Sequence, residues 1–149
     1  MSIFSIATSG LSAASLRVDV AASNIANVRT TGPLPASDRS GTSAVTGGSS
    51  IAPTFPAAYV PLRVDQVDQS GGSAPGGTSA TVSTVSPSYT VQSDPGAAFA
   101  NQDGLVAAPN VDIANEFAQL AAAKYSFVAN AKVIQAYAET TEALLDIKA

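Results

Sequence analysis

The 149-residue sequence has no cysteine and no histidine. Their absence excludes disulfides, thiol chemistry, thiolate or imidazole metal sites and every catalytic arrangement built on histidine. Charge is sparse: 12% of residues, with seven Lys and Arg against eleven Asp and Glu, for a net charge of −4. Four scattered arginines and three scattered lysines in an acidic chain give no electrostatic footprint for nucleic acid, so no nucleic-acid partner is expected. No apolar run approaches the ~18 residues of a membrane span. The start, Met1-Ser2-Ile3-Phe4-Ser5, carries no Lys or Arg, and Ser, Thr and Gly interrupt the apolar residues after it, so no secretory signal is expected. The 46% hydrophobic content includes 29 alanines. Alanine forms helices well but buries little area, which argues against a thick core.

What is present divides sharply. All nine prolines and ten of the eleven glycines lie between Gly32 and Pro109. Proline-free ends flanking a turn-rich middle predict two helical segments, 1–31 and 109–149, around a loop-rich β module, 32–108. In the first segment Phe4, Ala7, Leu11, Ala14, Val18, Ala21, Ile25 and Val28 alternate at spacings of three and four, the seam of a coiled coil. Thr30-Thr31-Gly32-Pro33 is expected to end that helix, with Gly32 as a C-cap. In the last segment Asn110 is placed to cap and Asp112 to favour the positive helix end. Ile113, Phe117, Leu120, Phe127, Ala131, Ile134, Ala138 and Leu145 then form one stripe, interrupted by Lys124 and Thr141. About 37 residues would make a rod of about 55 Å.

The expected fold is therefore mainly α, with terminal helices forming a coiled-coil-like pair and a small antiparallel β region between them. One helix–helix seam does not offset the entropy of ordering both rods. The ends are expected to need further neighbours and to become ordered on assembly.

In the middle, Tyr59–Val64 alternates Val60, Leu62 and Val64 on one side, as a strand would. Thr81–Val85 and Ser88–Val91 are two further strand candidates, and Gly71–Gly77 is a long connection. The Ser-, Thr- and Gly-rich stretch from Leu34 to Ser50 reads as a loop. Asp65, Asp68, Asp94 and Asp103 read as loop carboxylates whose spacing matches no calcium loop, and Asp103-Gly104 is a turn signal. The glycine cluster lacks the following Lys-Ser/Thr of a phosphate loop. Catalytic residues, cofactors and metals are therefore not expected.

Two motifs carry a resemblance. Ser9–Ala14, followed by Arg17–Asn27 with its Ala22-Ser23-Asn24-Ile25-Ala26-Asn27 stretch, resembles the N-terminal signature of bacterial flagellar rod and hook proteins. Asn110–Phe117 and Asn130–Ile134 resemble the closing helix of the same family. Pro87–Val91, Asp94–Gly96 and Asn101–Val111 are similar to its short proximal-rod members, and the short chain points the same way. The resemblance covers 1–31 and 87–149 well and 34–80 hardly at all. It implies a structural subunit exported by the flagellar type III apparatus without a cleaved signal. Such a subunit polymerises with its own copies and with proximal and distal rod proteins into the periplasm-spanning rod. Its terminal helices line the export channel, and the rod transmits torque from motor to hook. On that reading, subunit packing falls to Phe4, Leu11, Ala14, Val18, Ala21, Asn24, Ile25, Asn27 and Val28 in the first helix. In the second it falls to Ile113, Phe117, Leu120, Phe127, Asn130, Ala131, Ile134 and Leu145.

Two other classes compete. An alanine-rich coiled-coil adaptor or secreted interaction protein would share the helical ends without needing both motifs. A carboxylate-pair enzyme would need two acids converging in a cleft, and this chain offers no core to hold one.

Overall fold

A computed structural model of the chain describes residues 2–35, 55–69, 71 and 76–147. The element order is α1 (Ile3–Asn27), β1 (Leu62–Asp68), β2 (Thr78–Thr84), β3 (Tyr89–Ser93), β4 (Leu105–Pro109) and α2 (Ile113–Ile147). They fall into two compact units, each built from separated stretches of chain. The first comprises Met1–Ile25, Leu62–Ser83 and Asp112–Ala149, and the second Ala26–Pro61 and Thr84–Val111. The terminal helices pack together, and two small antiparallel sheets lie between them in sequence, as expected of a mainly α chain with a small β module.

In the first unit α1 opens at Ser2, whose Oγ accepts the Ser5 N–H at 3.3 Å while Ser5 Oγ donates to the Ser2 carbonyl at 2.8 Å. These bonds satisfy groups that the first helical turn leaves without a helical partner. Its buried residues are Ala7, Ala13, Ala14, Val20, Ala21 and Asn24. The buried face is thus rotated around the helix from the expected seam. Alanines hold its centre, and the larger Leu11, Val18 and Ile25 sit half-buried at its edge, with Phe4 50% exposed. Small side chains at the centre let a neighbouring helix approach closely, which large ones would prevent.

The helix α2 is capped by Asp112, not by Asn110. The Asp112 Oδ1 accepts the N–H groups of Ala114 at 2.9 Å and Asn115 at 3.3 Å, and its charge suits the positive helix end. Asn110 has another task in the second unit, donating from Nδ2 to the Pro87 carbonyl at 2.9 Å. With 35 residues, α2 is about 52 Å long.

The strands β1 and β2 form a hairpin. Its ladder runs to Gln69, whose N–H donates to the Gly77 carbonyl at 3.1 Å and whose carbonyl accepts from Gly76 at 2.9 Å. The expected strand over Tyr59–Val64 begins later, at Leu62, and extends to Asp68. Pro61 has no N–H to give to a ladder, which fixes the start. Asp65 and Asp68 therefore lie on a strand, not in a loop. Most of the expected Gly71–Gly77 connection, and residues 36–50 of the expected loop, lie outside the described residues.

In the second unit β3 pairs antiparallel with β4, in the register Tyr89 opposite Pro109 and Ser93 opposite Leu105. Alternation does not predict β4, because Val106, Ala107, Ala108 and Pro109 are all buried and show no period of two. Its pairing gives two separate two-stranded sheets in place of the single expected one. The turn that leads into β4 is held by Asn101, whose Oδ1 accepts from the N–H groups of Asp103 at 3.0 Å and Leu105 at 2.8 Å.

Gly32 is not a helix cap. It forms a bridge to Ala107, donating its N–H at 3.0 Å and accepting the Ala107 N–H at 2.9 Å, while α1 ends earlier, at Asn27. A Cβ at this position would lie 2.2 Å from the Ala58 nitrogen. Only glycine fits between these backbones. Leu34 and Val106 are buried in the same unit, and Phe55 and Phe99 meet in a tilted ring pair at 5.7 Å.

Candidate assembly surface

The first unit is organised by Asn24, the asparagine at the centre of the N-terminal motif. It is 0% exposed. Its Nδ2 donates to the Leu62 carbonyl at 2.7 Å and to Glu116 Oε1 at 2.8 Å, and its Oδ1 accepts the Leu62 N–H at 3.0 Å. One side chain thereby ties α1, the first residue of β1 and the first turn of α2. A fully buried amide must satisfy both its ends, and here both are satisfied. Nothing local in the sequence marks Glu116 for this role, since its partner stands 92 positions away.

Gly10 faces Asn130 so closely that a Cβ on it would stand 2.6 Å from Asn130 Oδ1. Asn130 in turn donates to the Ser126 carbonyl at 2.8 Å. Asn24 beside Glu116 and Gly10 beside Asn130 set α1 and α2 antiparallel. A further tie joins α1 to the hairpin: the Thr78 N–H donates to Ser9 Oγ at 3.1 Å. On the hairpin, Arg63 Nε lies 3.3 Å from Asp65 Oδ1 and 3.0 Å from Ser83 Oγ, and the Ser83 hydroxyl donates to Asp65 Oδ2.

The residues singled out from sequence separate by exposure. Ala14, Ala21 and Asn24 are buried inside the unit and hold the subunit itself together. Leu11, Val18, Ile25, Leu120, Asn130, Ala131 and Ile134 are half-buried between or beside the helices, and Asn27 and Val28 are half-buried at the end of α1. Phe4, Ile113, Phe117, Phe127 and Leu145 are exposed. Among the described residues of α2 the buried one is Ala123, while Phe117 is 59%, Tyr125 75%, Leu145 67% and Ile147 83% exposed. A 35-residue helix with apolar side chains on most of its circumference and so little of it buried has surface left to cover. Between the helices an apolar groove of about 460 Å³ is lined by Val18, Leu120, Ala121, Lys124, Phe127 and Val128. Among the described residues no helix is long and apolar enough to cross a membrane.

Two family models match the chain at its ends. The flagella basal body rod protein model covers residues 4–33, and the flagellar basal body rod FlgEFG protein C-terminal model covers residues 102–147. Flagellar basal-body rod protein FlgC of Salmonella typhimurium is 34% identical over 136 residues, 90% of this chain and 87% of the relative. The chain belongs to the FlgC family of flagellar basal-body rod proteins. The FlgC of Agrobacterium fabrum is 29% identical over 142 residues, 95% of this chain and 90% of the relative. Membership makes the chain a structural rod subunit of the flagellar basal body. Membership in the rod protein family implies assembly with other flagellar components.

Proposed function

We propose that this rod subunit polymerises, with copies of itself and with proximal and distal rod proteins, into the proximal rod. There its terminal helices line the export channel, and repeated subunit contacts carry torque from motor to hook. Delivery by the flagellar type III apparatus without a cleaved signal completes the reading, and the protein performs no catalysis. The observation that carries this reading is the uncovered apolar surface of α2, from Ile113 and Phe117 at one end to Leu145 and Ile147 at the other. Such a helix gains stability from a second and third neighbour, not from its own chain alone.

Within this reading the half-buried and exposed members of the stripe, Leu11, Val18, Leu120, Phe127 and Phe117, make contacts between subunits. The buried Ala14, Ala21 and Asn24 set the helix pair that presents them. A heterologous contact repeated from copy to copy gives an open helical assembly, the form a rod requires. The test is a density map of basal bodies isolated from cells expressing the tagged chain. The reading expects density for α1 and α2 on the channel side of the proximal rod. A chain placed elsewhere, or absent from basal bodies, would contradict it.

A further inference from the structure

Among the described residues, the register of the helix pair leaves one end of α2 beyond the reach of α1. With Asn24 level with Glu116 and Gly10 level with Asn130, the first residue of α1, Ile3, lies level with Tyr137. Every residue from Ala138 to Ile147 is exposed. This overhang is two-faced. Ile134, Ala138 and Leu145 fall on one line of the helix, with Tyr137 and Leu144 beside it. Glu139, Glu142 and Asp146 fall together on the neighbouring line. Leu144 and Leu145 are 69% and 67% exposed.

The groove between the helices has the complementary character. Val18, Leu120, Ala121, Phe127 and Val128 supply apolar walls, and Lys124 supplies a cation. Lys124 and Leu145 stand on the same unbroken helix, about 30 Å apart at 1.5 Å per residue, so the overhang cannot reach the groove of its own chain. We propose that the overhang of one copy seats in the groove of the next, Leu145 entering between Ala121 and Phe127 and Glu142 pairing with Lys124. The contact rests on the rod-subunit reading and specifies how one copy meets another. Repeated head to tail, with the overhang of each copy in the groove of the next, the contact is heterologous, and a reciprocal pair that closes as a disulfide-linked dimer would contradict it. Each docked copy presents a new groove and a new overhang, which is how an open-ended stack grows. The apolar insertion supplies the burial, and the charge pair fixes the rotation of the inserted helix about its axis.

The absence of native cysteine makes the test direct. The full chain carrying both Ala121→Cys and Leu145→Cys is expressed in a flagellated host lacking its own copy, and isolated basal bodies are exposed to a mild oxidant. The expected result is a ladder of disulfide-linked multimers of this chain. Lys124→Glu added to the cysteine pair should lower the yield of adduct about tenfold through like-charge contact, and Glu142→Lys added to that variant should restore it. Basal bodies that contain the chain but give no adduct would overturn the docking while leaving the rod reading intact. Adduct formation indifferent to both charge changes would overturn the pairing of Glu142 with Lys124. Absence of the wild-type chain from basal bodies would overturn the rod reading itself.

Discussion

The side chain of Asn24 and the backbone of Leu62 hydrogen-bond in both directions, the amide nitrogen donating at 2.7 Å and the amide oxygen accepting at 3.0 Å. The asparagine copies the pattern of a neighbouring strand and so fixes where β1 begins against α1. Its second donor hydrogen goes to Glu116, which brings the start of α2 to the same point. Asn24→Ala would leave the Leu62 N–H and carbonyl without these partners, and the unfolding free energy of the purified chain should fall by about 2–3 kcal/mol. Urea titration followed by circular dichroism measures this. An unchanged midpoint would show that the three-way junction is not holding the unit.

Asn24→Asp separates charge from hydrogen bonding. The introduced carboxylate keeps an acceptor for the Leu62 N–H but places a negative charge against Glu116 and loses both donors. Burial and the like charge favour its neutral form in the folded state and raise its pKa there above the unfolded value. The folded state then binds more protons than the unfolded one, so the loss is largest at neutral pH and shrinks as pH falls through the carboxylate range. Thermal unfolding at several pH values, compared with Asn24→Ala, checks the sign. A loss that grows on acidification would contradict the geometry.

Gly10 is limited by space, not by its backbone conformation. A methyl group there meets the end of the Asn130 side chain at 2.6–2.7 Å, and that side chain is itself bonded to Ser126. Gly10→Ala combined with Asn130→Ala removes the obstruction and should gain about 1 kcal/mol from helix propensity. Gly10→Leu should lose stability, because the helices must separate to admit it. Thermal unfolding of the two variants against wild type decides it. Equal tolerance of leucine would mean that the helices do not approach closely here.

Gly32 admits no such compromise, since the atoms a Cβ would strike belong to the backbone of Ala57 and Ala58 and the carbonyl of Pro56. Gly32→Ala should break the bridge to Ala107 and lose protection of the Ala107 amide in hydrogen exchange. Retention of that protection would place the Pro56–Ala58 segment elsewhere.

Much of this fold is legible in the sequence. The proline and glycine boundaries and the spacings of three and four locate both helices, because periodicity at 3.6 residues survives in any surface helix. Their pairing detail is less legible. The stripe from Phe4 to Val28 follows spacing alone and shares Ala7, Ala14 and Ala21 with the buried face, whereas that face also takes in Ala13, Val20 and Asn24, since closeness of approach decides which side of the helix is inward. The β4 strand has no alternation to betray it, and the partnership of Gly32 with Ala107 is a long-range backbone event. The Asn24–Glu116 bond is of the same kind. Both residues stand in recognisable motifs, but only the fold brings them within 2.8 Å.

In the proposed rod, other subunits cover the exposed apolar face of α2. Phe117, 59% exposed, is the position where subunit stability and assembly separate most cleanly. Phe117→Asp should leave the unfolding midpoint of the isolated chain nearly unchanged, as surface changes do within about 0.5 kcal/mol, and should remove the chain from basal bodies. Quantifying the variant in isolated basal bodies, alongside its unfolding curve, is the most direct test. Normal incorporation of Phe117→Asp would contradict the account.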